Sequence, residues 1–171
     1  MTIDTFEKDI LPLKHPIYRF ALFMMKNEDD AKDVCQEVLI KIWEKRDDLY
    51  EVKNLRAWAI TITRNKCLDH IKARKGDTFS WDESIDAPTH TTPYQVVSIN
   101  DETNWVKGLM HELPIKQKEV FYLRHFEENT YKEISKALDL NETKVKVYLH
   151  RARTFIKDAM EQKHAYGLKT G

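Results

Sequence analysis

Glycine and cysteine are scarce in this sequence, and each shortage excludes a class of site. The 171 residues include only four glycines, which form no glycine-rich loop of the kind that cradles phosphate groups. Cys35 and Cys67 lie in helical patterns without a CxxC spacing, so we expect reduced, packed thiols. The seven histidines are scattered, without a carboxylate cluster at metal-ligand spacing or a nucleophile motif. The sequence therefore predicts neither a metal site nor a cofactor.

Long apolar runs and helix breakers are also few. No run approaches the roughly 20 apolar residues that span a bilayer, and residues 1–11 lack the basic start and apolar core of a signal peptide. We therefore expect a cytoplasmic protein. Abundant Lys, Glu, Leu and Ala with little Gly or Pro favour an all-α fold. The length suits one ordinary domain or two small ones.

The sequence has no surplus of either charge, but its neutral sum conceals segregation along the chain. The totals are 28 basic and 28 acidic residues. Residues 28–51 are rich in acids, whereas residues 53–75 are basic with Asp69 as the only acid. Residues 76–103 contain acids and no Lys or Arg. Because a polyanion responds to the local field, the neutral sum does not argue against nucleic-acid binding.

Apolar spacing predicts a helical bundle over residues 1–75. Intervals of three and four recur in two stripes, Ile17, Phe20, Ala21, Met24 and Met25, and then Ala31, Val34, Cys35, Val38, Leu39, Ile42 and Trp43. Asn54 is a candidate N-cap for a third helix that runs to about Arg74. The segment AITIT, residues 59–63, is β-branched, but its flanks are helical, and we assign it to this third helix.

The chain then changes character twice. Residues 76–103 contain Pro88, Pro93 and several Ser and Thr, with weak periodicity, which is typical of a flexible linker. A second helical unit is predicted over residues 104–171. We therefore expect two small helical domains joined by a linker.

Residues 130–157, TYKEISKALDLNETKVKVYLHRARTFIK, predict a helix-turn-helix. A short helix covers Tyr131–Leu138, and Asn141 caps a second helix from Glu142. Asp139 occupies a turn position where glycine is common. On the second helix, the inner face is Val145, Leu149, Ala152 and Ile156, and the outer face is Thr143, Lys144, Val147, His150, Arg151 and Thr154. This outer face suits the major groove of duplex DNA, although on this segment alone it could also be a solvated helix face.

Three segments together resemble the extracytoplasmic function (ECF) class of bacterial sigma factors. DDAKDVCQEVLIKIWE, residues 29–44, is similar to the core-binding helix of that family's region two. NLRAWAITITRNKCLDHIKARK, residues 54–75, is similar to its promoter-melting and minus-ten helix. LPIKQKEVFYLRHFEENTYKEISKALDLNETKVKVYLHRAR, residues 113–153, is similar to region four, which binds the minus-thirty-five element. The resemblance implies a protein without catalytic activity or a small-molecule substrate.

The resemblance also implies partners and site residues. It assigns binding of the polymerase β′ subunit to four residues on or near one exposed face: Asp30, Asp33, Gln36 and Glu37. It assigns the minus-ten element to Lys53, Arg56, Arg64, Asn65, Lys72 and Arg74, with the loop at residues 47–53 helping to form a pocket for an extruded base. It assigns the minus-thirty-five element to Thr143, Lys144, Lys146, Val147, His150 and Arg151. The implied partners are RNA polymerase core, through its β′ and β subunits, promoter DNA, and an anti-sigma factor that is often membrane-bound.

Several alternatives stay open at this stage. Trp58 fits a packed core residue better than a DNA contact, and Asn65 either orders the loop or touches DNA. The acidic linker either mimics nucleic acid in a polymerase channel or is a solvated tether. For the whole chain, an ordinary helix-turn-helix regulator would leave the basic helix and the acidic face unexplained. A nucleic-acid-processing enzyme lacks a catalytic constellation.

Overall fold

The computed structural model describes residues 8–75 and 102–167, and the regular elements within these ranges are all helices. They form two compact units, which confirms the predicted all-α fold with two small helical domains. The predicted linker lies outside the described residues except at its end, where a helix begins at Glu102. Among the described residues, no helix is long and apolar enough to cross a membrane.

The first unit is a three-helix bundle. Its helices are α1 (Lys14–Met25), α2 (Glu28–Glu44) and α3 (Leu55–Lys75), with 3-10 turns at Leu11–Leu13 and Leu49–Glu51. Each helix packs against the other two. The core is formed by fully or nearly fully buried side chains, among them Ile17, Phe20, Val34, Val38, Ile42, Ile60 and Cys67. The apolar stripes therefore face one another, as their spacing predicts.

Side-chain caps set where α2 and α3 begin. The Asn27 side chain accepts hydrogen bonds from the backbone N–H groups of Asp29 and Asp30, at 2.9 and 3.0 Å. Asn54 accepts from the N–H of Ala57 at 2.8 Å, which confirms its predicted role. These bonds satisfy donors that have no partner inside the helix.

The β-branched segment at residues 59–63 is helical, as expected. Thr63 is fully buried, and its hydroxyl donates to the carbonyl of Ala59 at 2.8 Å. Thr61 donates in the same way to Ala57, at 2.9 Å. Because each hydroxyl bonds to the carbonyl one turn earlier, polar side chains are accommodated in a packed helix.

One residue of the predicted apolar stripes lies elsewhere. Trp43 was expected on the inner face of α2, but it is 36% exposed, and the guanidinium of Arg46 lies 4.6 Å from its ring centroid. The stripe on α2 is broad, so α1 and α3 cover its centre while its edge faces solvent. A cation over the indole ring accounts for this aromatic side chain at the surface.

The second unit contains α4 (Glu102–Met110), α5 (Ile115–His125), the part of α6 (Tyr131–Leu138) up to Ser135, and α7 (Glu142–Gly167). Helix α7 packs against α5 and, more lightly, against α4. The bounds of α6 and the start of α7 coincide with those predicted from the sequence. The Asn141 side chain accepts from the N–H of Lys144 at 2.7 Å, which confirms the predicted cap.

Three described residues other than glycine adopt a left-handed backbone: Lys26, Glu128 and Asp139, with φ of 58°, 55° and 52°. Lys26 ends α1, where its N–H donates to the carbonyl of Leu22 at 2.9 Å. Asp139 follows α6, and the next N–H, that of Leu140, donates to the carbonyl of Ser135 at 2.9 Å. The shortage of glycine therefore has a structural cost at Lys26 and Glu128, because L-residues other than Asn and Asp adopt this conformation reluctantly.

Candidate nucleic-acid interface and acidic helix face

The two faces of α7 divide as the sequence predicts. The inner residues Val145, Leu149, Ala152 and Ile156 are all buried, with at most 6% exposure. The outer residues Thr143, Lys144, Val147, His150, Arg151 and Thr154 are all exposed, and so is Lys146. An apolar back thus fixes the helix while polar and basic side chains are presented to solvent. That arrangement suits insertion into a major groove.

Both helices of the helix-turn-helix have well-formed N-termini. At α6, the Thr130 hydroxyl accepts from the N–H of Glu133 at 3.2 Å, and the N–H of Thr130 donates to the Glu133 carboxylate at 2.7 Å. This reciprocal pair is a capping box. At α7, the Asn141 cap leaves the positive end of the helix dipole at the surface beside Lys144, where phosphate oxygens would be favoured.

An aromatic ring at the start of α6 lies close to basic side chains of α5 and α7. The Tyr131 ring has the Arg124 guanidinium carbon at 5.4 Å and the Lys146 ammonium at 5.9 Å from its centroid. Arg124 also donates to the carbonyl of Asn129 at 2.9 Å. Sequence reasoning selected Lys146 but missed Arg124 and Tyr131, which lie outside α7. The signal available was a basic residue at the end of one helix and an aromatic residue at the start of the next.

A second contact holds the middle of α7 to the end of α5. Arg153 Nε donates to His125 Nε2 at 3.2 Å, and the His125 ring lies 4.3 Å from that of Phe121. Burial, with the charges of Arg153 and then Arg124, lowers the pKa of His125 below its usual value. The neutral imidazole is the form that can accept a hydrogen bond from Arg153, so this contact is consistent with the lowered pKa of His125.

The predicted acidic face of α2 is divided in the structure. Asp33 and Gln36 are exposed, as expected. Glu37 turns towards α3 instead, and its two carboxylate oxygens lie 2.9 Å from Lys66 Nζ and 2.9 Å from His70 Nε2. Asp30 also turns towards α3, where it forms an ion pair with Arg74, and only 15% of its side chain is exposed. Two of the four residues predicted to lie on or near one exposed face therefore interact within the first unit.

The electrostatics of this cluster agree with its geometry. The hydrogen bond from Lys66 lowers the pKa of Glu37, with a further contribution from His70 that opposes the effect of partial burial. The same bond raises the pKa of Lys66. Each partner stabilises the charged form of the other, as expected for an ion pair.

The predicted minus-ten residues occupy several positions around α3. Asn65 and Lys72 are exposed on the helix, Arg56 is exposed in its first turn, and Lys53 is exposed just before it. Arg64 is half-buried, and Arg74 reaches α2. Trp58 is half-buried, in keeping with a packing role. Sequence reasoning did not select Lys66 or His70 as site residues.

The loop between α2 and α3 presents one large aromatic side chain. Tyr50 is 81% exposed on the 3-10 turn Leu49–Glu51, while the neighbouring Leu49 is buried. The buried Leu49 side chain therefore anchors the loop, and the Tyr50 side chain is exposed to solvent. An exposed aromatic ring provides a surface on which an unpaired base can stack.

Neither cysteines nor metal ligands add chemistry to these surfaces. Both thiols are buried, and burial raises the pKa of Cys35, which favours an unreactive thiol. Within residues 8–75 and 102–167, no group of three His, Cys, Asp or Glu side chains is arranged to hold a metal ion.

Comparison with known proteins relates both units to one family. Residues 10–76 match the family model for Sigma-70 region 2, and residues 103–156 match that for Sigma-70, region 4. The chain is 24% identical to the ECF RNA polymerase sigma factor SigX of Bacillus subtilis over 164 residues, which cover 92% of this chain and 81% of SigX. It is 26% identical to the ECF RNA polymerase sigma factor SigM of the same organism, over 92% of this chain and 94% of SigM.

Two solved structures share the fold. The sigma factor RpoE of Bartonella quintana, in complex with the anti-sigma factor NepR, aligns with a TM-score of 0.71 and 22% identity, over 93% of this chain and 98% of RpoE. CnrH, in complex with the cytosolic domain of CnrY, aligns with a TM-score of 0.69 and 19% identity, over 94% of this chain and 90% of CnrH. The two matched regions show that the chain belongs to the Sigma-70 family, and its relatives place it among the ECF-type sigma factors.

Proposed function

We propose that this protein is an ECF sigma factor that binds RNA polymerase core in the cytoplasm and directs it to a set of promoters. In this role it recognises promoter DNA, assists melting and starts transcription, and it performs no catalysis of its own. The observation that carries the proposal is the occurrence of both family regions, in order, on two helical units with different surface chemistry. One unit has an acidic helix beside a basic helix, and the other has a basic recognition helix.

The minus-thirty-five element would be bound by the exposed face of α7. Lys144, Lys146 and Arg151 are suited to phosphates or base edges. Val147 is 43% exposed on the same face and can contact a thymine methyl group. Thr143 and His150 complete the predicted contact surface.

The first unit would bind the polymerase β′ subunit and the minus-ten element. Asp33 and Gln36 offer the exposed part of the predicted β′ surface, to which Asp30 and Glu37 also belong by resemblance. Lys53, Arg56, Arg64, Asn65, Lys72 and Arg74 are the predicted contacts to the minus-ten region. Basic and polar side chains on one helix suit the backbone and bases of a separated strand.

We further propose that an anti-sigma factor holds the protein inactive. Among the solved proteins that share its fold, RpoE is bound to the anti-sigma factor NepR and CnrH to the cytosolic domain of CnrY. Such a partner would cover the surfaces that polymerase uses. Residues 76–103 would join the two units along the polymerase surface, either as a solvated tether or by mimicking nucleic acid.

Promoter-directed transcription with purified core polymerase tests the function. We expect a specific transcript only when the protein is present. The Asp33→Ala/Gln36→Ala variant should lose core binding, and the Lys144→Ala/Arg151→Ala variant should bind core but lose transcription. Lys157→Ala is the matched control, because Lys157 is exposed on α7 about 20 Å further along the helix axis than Lys144.

A different pair of binding properties would contradict the proposed function. A protein that fails to bind core and instead binds duplex DNA tightly by itself is an ordinary helix-turn-helix regulator. In that case both double variants should be compared again by DNA binding alone. Loss of binding only in the Lys144→Ala/Arg151→Ala variant would then complete the reassignment.

A further inference from the structure

Side chains on α2 and α3 form a ladder of ion pairs and hydrogen bonds. Lys66, His70 and Arg74 are spaced one turn apart on α3, so all three project from neighbouring parts of its surface. Glu37 and Asp30 are spaced two turns apart on α2. Glu37 binds Lys66 and His70, each at 2.9 Å, and Asp30 binds Arg74. The ladder therefore joins the two helices along about two turns of each.

These side chains border an open cleft of about 390 Å³. Its lining includes Glu37, Lys66, Asp69, His70 and Arg74. Asp30 and His70 expose only 15% and 28% of their side chains, so the contacts are partly shielded from water. A carboxylate that is held by both an ammonium and an imidazole has a more restricted orientation than one in a single surface pair.

The ladder has a geometric consequence for the outer face of α3. Lys66 and His70 each follow by one residue the exposed Asn65 and Asp69, which places the two sets about 100° apart around the helix. Contacts of Lys66 and His70 with α2 therefore fix the rotation and axial position of Asn65 and Asp69. Lys72 lies on the same exposed side as Asn65, two turns further along.

We propose that Glu37 and Asp30 are positioning residues that hold α3 in register for the minus-ten strand. Resemblance places both residues on the polymerase-binding face, whereas their contacts in this chain are to the minus-ten helix. Through Lys66, His70 and Arg74, they orient Asn65 and Lys72 towards DNA. The inference rests on the proposed function, because it needs a strand for α3 to bind.

Helix α2 provides a matched control for this role. Glu28 is an acid on the same helix, it is exposed to solvent, and its ion-pair partner Lys32, at 3.9 Å, also lies on α2. Neutralising either residue removes one negative charge from α2. Only neutralisation of Glu37 also removes an ion pair with α3.

The test measures DNA binding by assembled holoenzyme, with core polymerase at a concentration that saturates every variant. The probe is a fork-junction DNA whose single strand carries the minus-ten element of a promoter that the wild-type holoenzyme transcribes. We expect Glu37→Gln to weaken binding about fivefold, within the range of couplings between residues in contact. Asp30→Asn should act in the same direction, Glu28→Gln should have no effect, and Lys66→Arg should bind as the wild type does.

A double-mutant cycle separates positioning from independent effects. Adding Glu37→Gln to a Lys66→Met/His70→Gln variant should cause no further loss of DNA affinity, because the contacts through which Glu37 positions α3 are already absent. Thermal unfolding of each variant sets a temperature at which all are folded. The proposal is overturned if Glu37→Gln binds the probe normally, or if its loss adds fully to that of the Lys66/His70 variant. A wild-type protein that forms no holoenzyme would instead overturn the proposed function itself.

Discussion

The two helical units use their charged side chains in different ways. In the first unit, Glu37 and Asp30 are paired with basic residues of the neighbouring helix. In the second unit, Lys144, Lys146 and His150 are exposed on the recognition helix, whose orientation is set by its apolar back. We infer that a substitution of Glu37 or Asp30 alters both the surface and its support. In the second unit, support and binding should be separable.

The largest effect expected is the loss of support for α7. Leu149→Ala should lower the free energy of unfolding of the second unit by about 2–5 kcal/mol, because it leaves a cavity behind the recognition helix. Lys144→Ala should change this free energy by no more than about 0.5 kcal/mol, as is usual for an exposed side chain. Hydrogen exchange read separately for residues 8–75 and 102–167 measures both. Equal destabilisation by the two substitutions would contradict the separation of support from binding.

The next effect concerns binding by the same helix. Lys144→Ala should weaken the affinity of the holoenzyme for a promoter duplex and reduce its salt dependence. If Lys144 neutralises one phosphate, the slope of log K against log salt should become shallower by about 0.9 in this variant. A titration at several salt concentrations measures this slope. Lys157→Ala is the control, and an unchanged slope in Lys144→Ala would show that Lys144 does not bind phosphate.

A smaller effect is expected at two left-handed positions that are not glycine and at one helical position that is. Lys26 and Glu128, one in each unit, have a left-handed backbone, whereas Gly108 lies within α4 with open space where a Cβ would be. Lys26→Gly, Glu128→Gly and Gly108→Ala should therefore each stabilise their unit by roughly 0.5–1 kcal/mol. Thermal unfolding of the three single variants tests this. A lower Tm for Gly108→Ala would indicate that the residue has a packing role.

Local signals in the sequence predicted most of the second unit. The bounds of α6, the start of α7 and the two faces of α7 depend on caps and on 3.6-residue spacing, which act within a few residues. The pairing of Glu37 with Lys66 and of Asp30 with Arg74 joins residues 29 and 44 positions apart. Periodicity indicates which side of a helix is polar, but not which polar residue on another helix it meets. The candidate site was therefore predicted more completely on α7 than on α2.

The same limit applies to aromatic residues near the site. Trp43 fits the apolar spacing of α2, but the breadth of the stripe exceeds what the other helices cover. Tyr131 was predicted only as the first residue of a helix. Its contacts with Arg124 and Lys146 arise because the turn brings the ends of α5 and α6 close to α7. Such contacts follow from tertiary packing and not from local pattern.

The smallest effect expected is a pH dependence specific to the second unit. The pKa of His125 is lowered in the folded protein, so between that pKa and about 6.5 the unfolded chain binds more protons than the folded chain does. The contribution of His125 to stability is therefore complete above pH 6.5 and decreases as the pH falls through this window. Protonation would also remove the acceptor for Arg153 Nε.

Thermal unfolding between pH 5 and 7.5 measures this contribution. His125→Gln should flatten the pH dependence of Tm for the second unit, because glutamine can accept a hydrogen bond from Arg153 but does not titrate. His15→Gln, at an exposed position in the first unit, should leave that dependence unchanged. If His125→Gln has the wild-type pH dependence, the link between α5 and α7 is not sensitive to the proton on His125. The pH dependence of Tm would then not distinguish the two units, and they would differ only in their ion pairs.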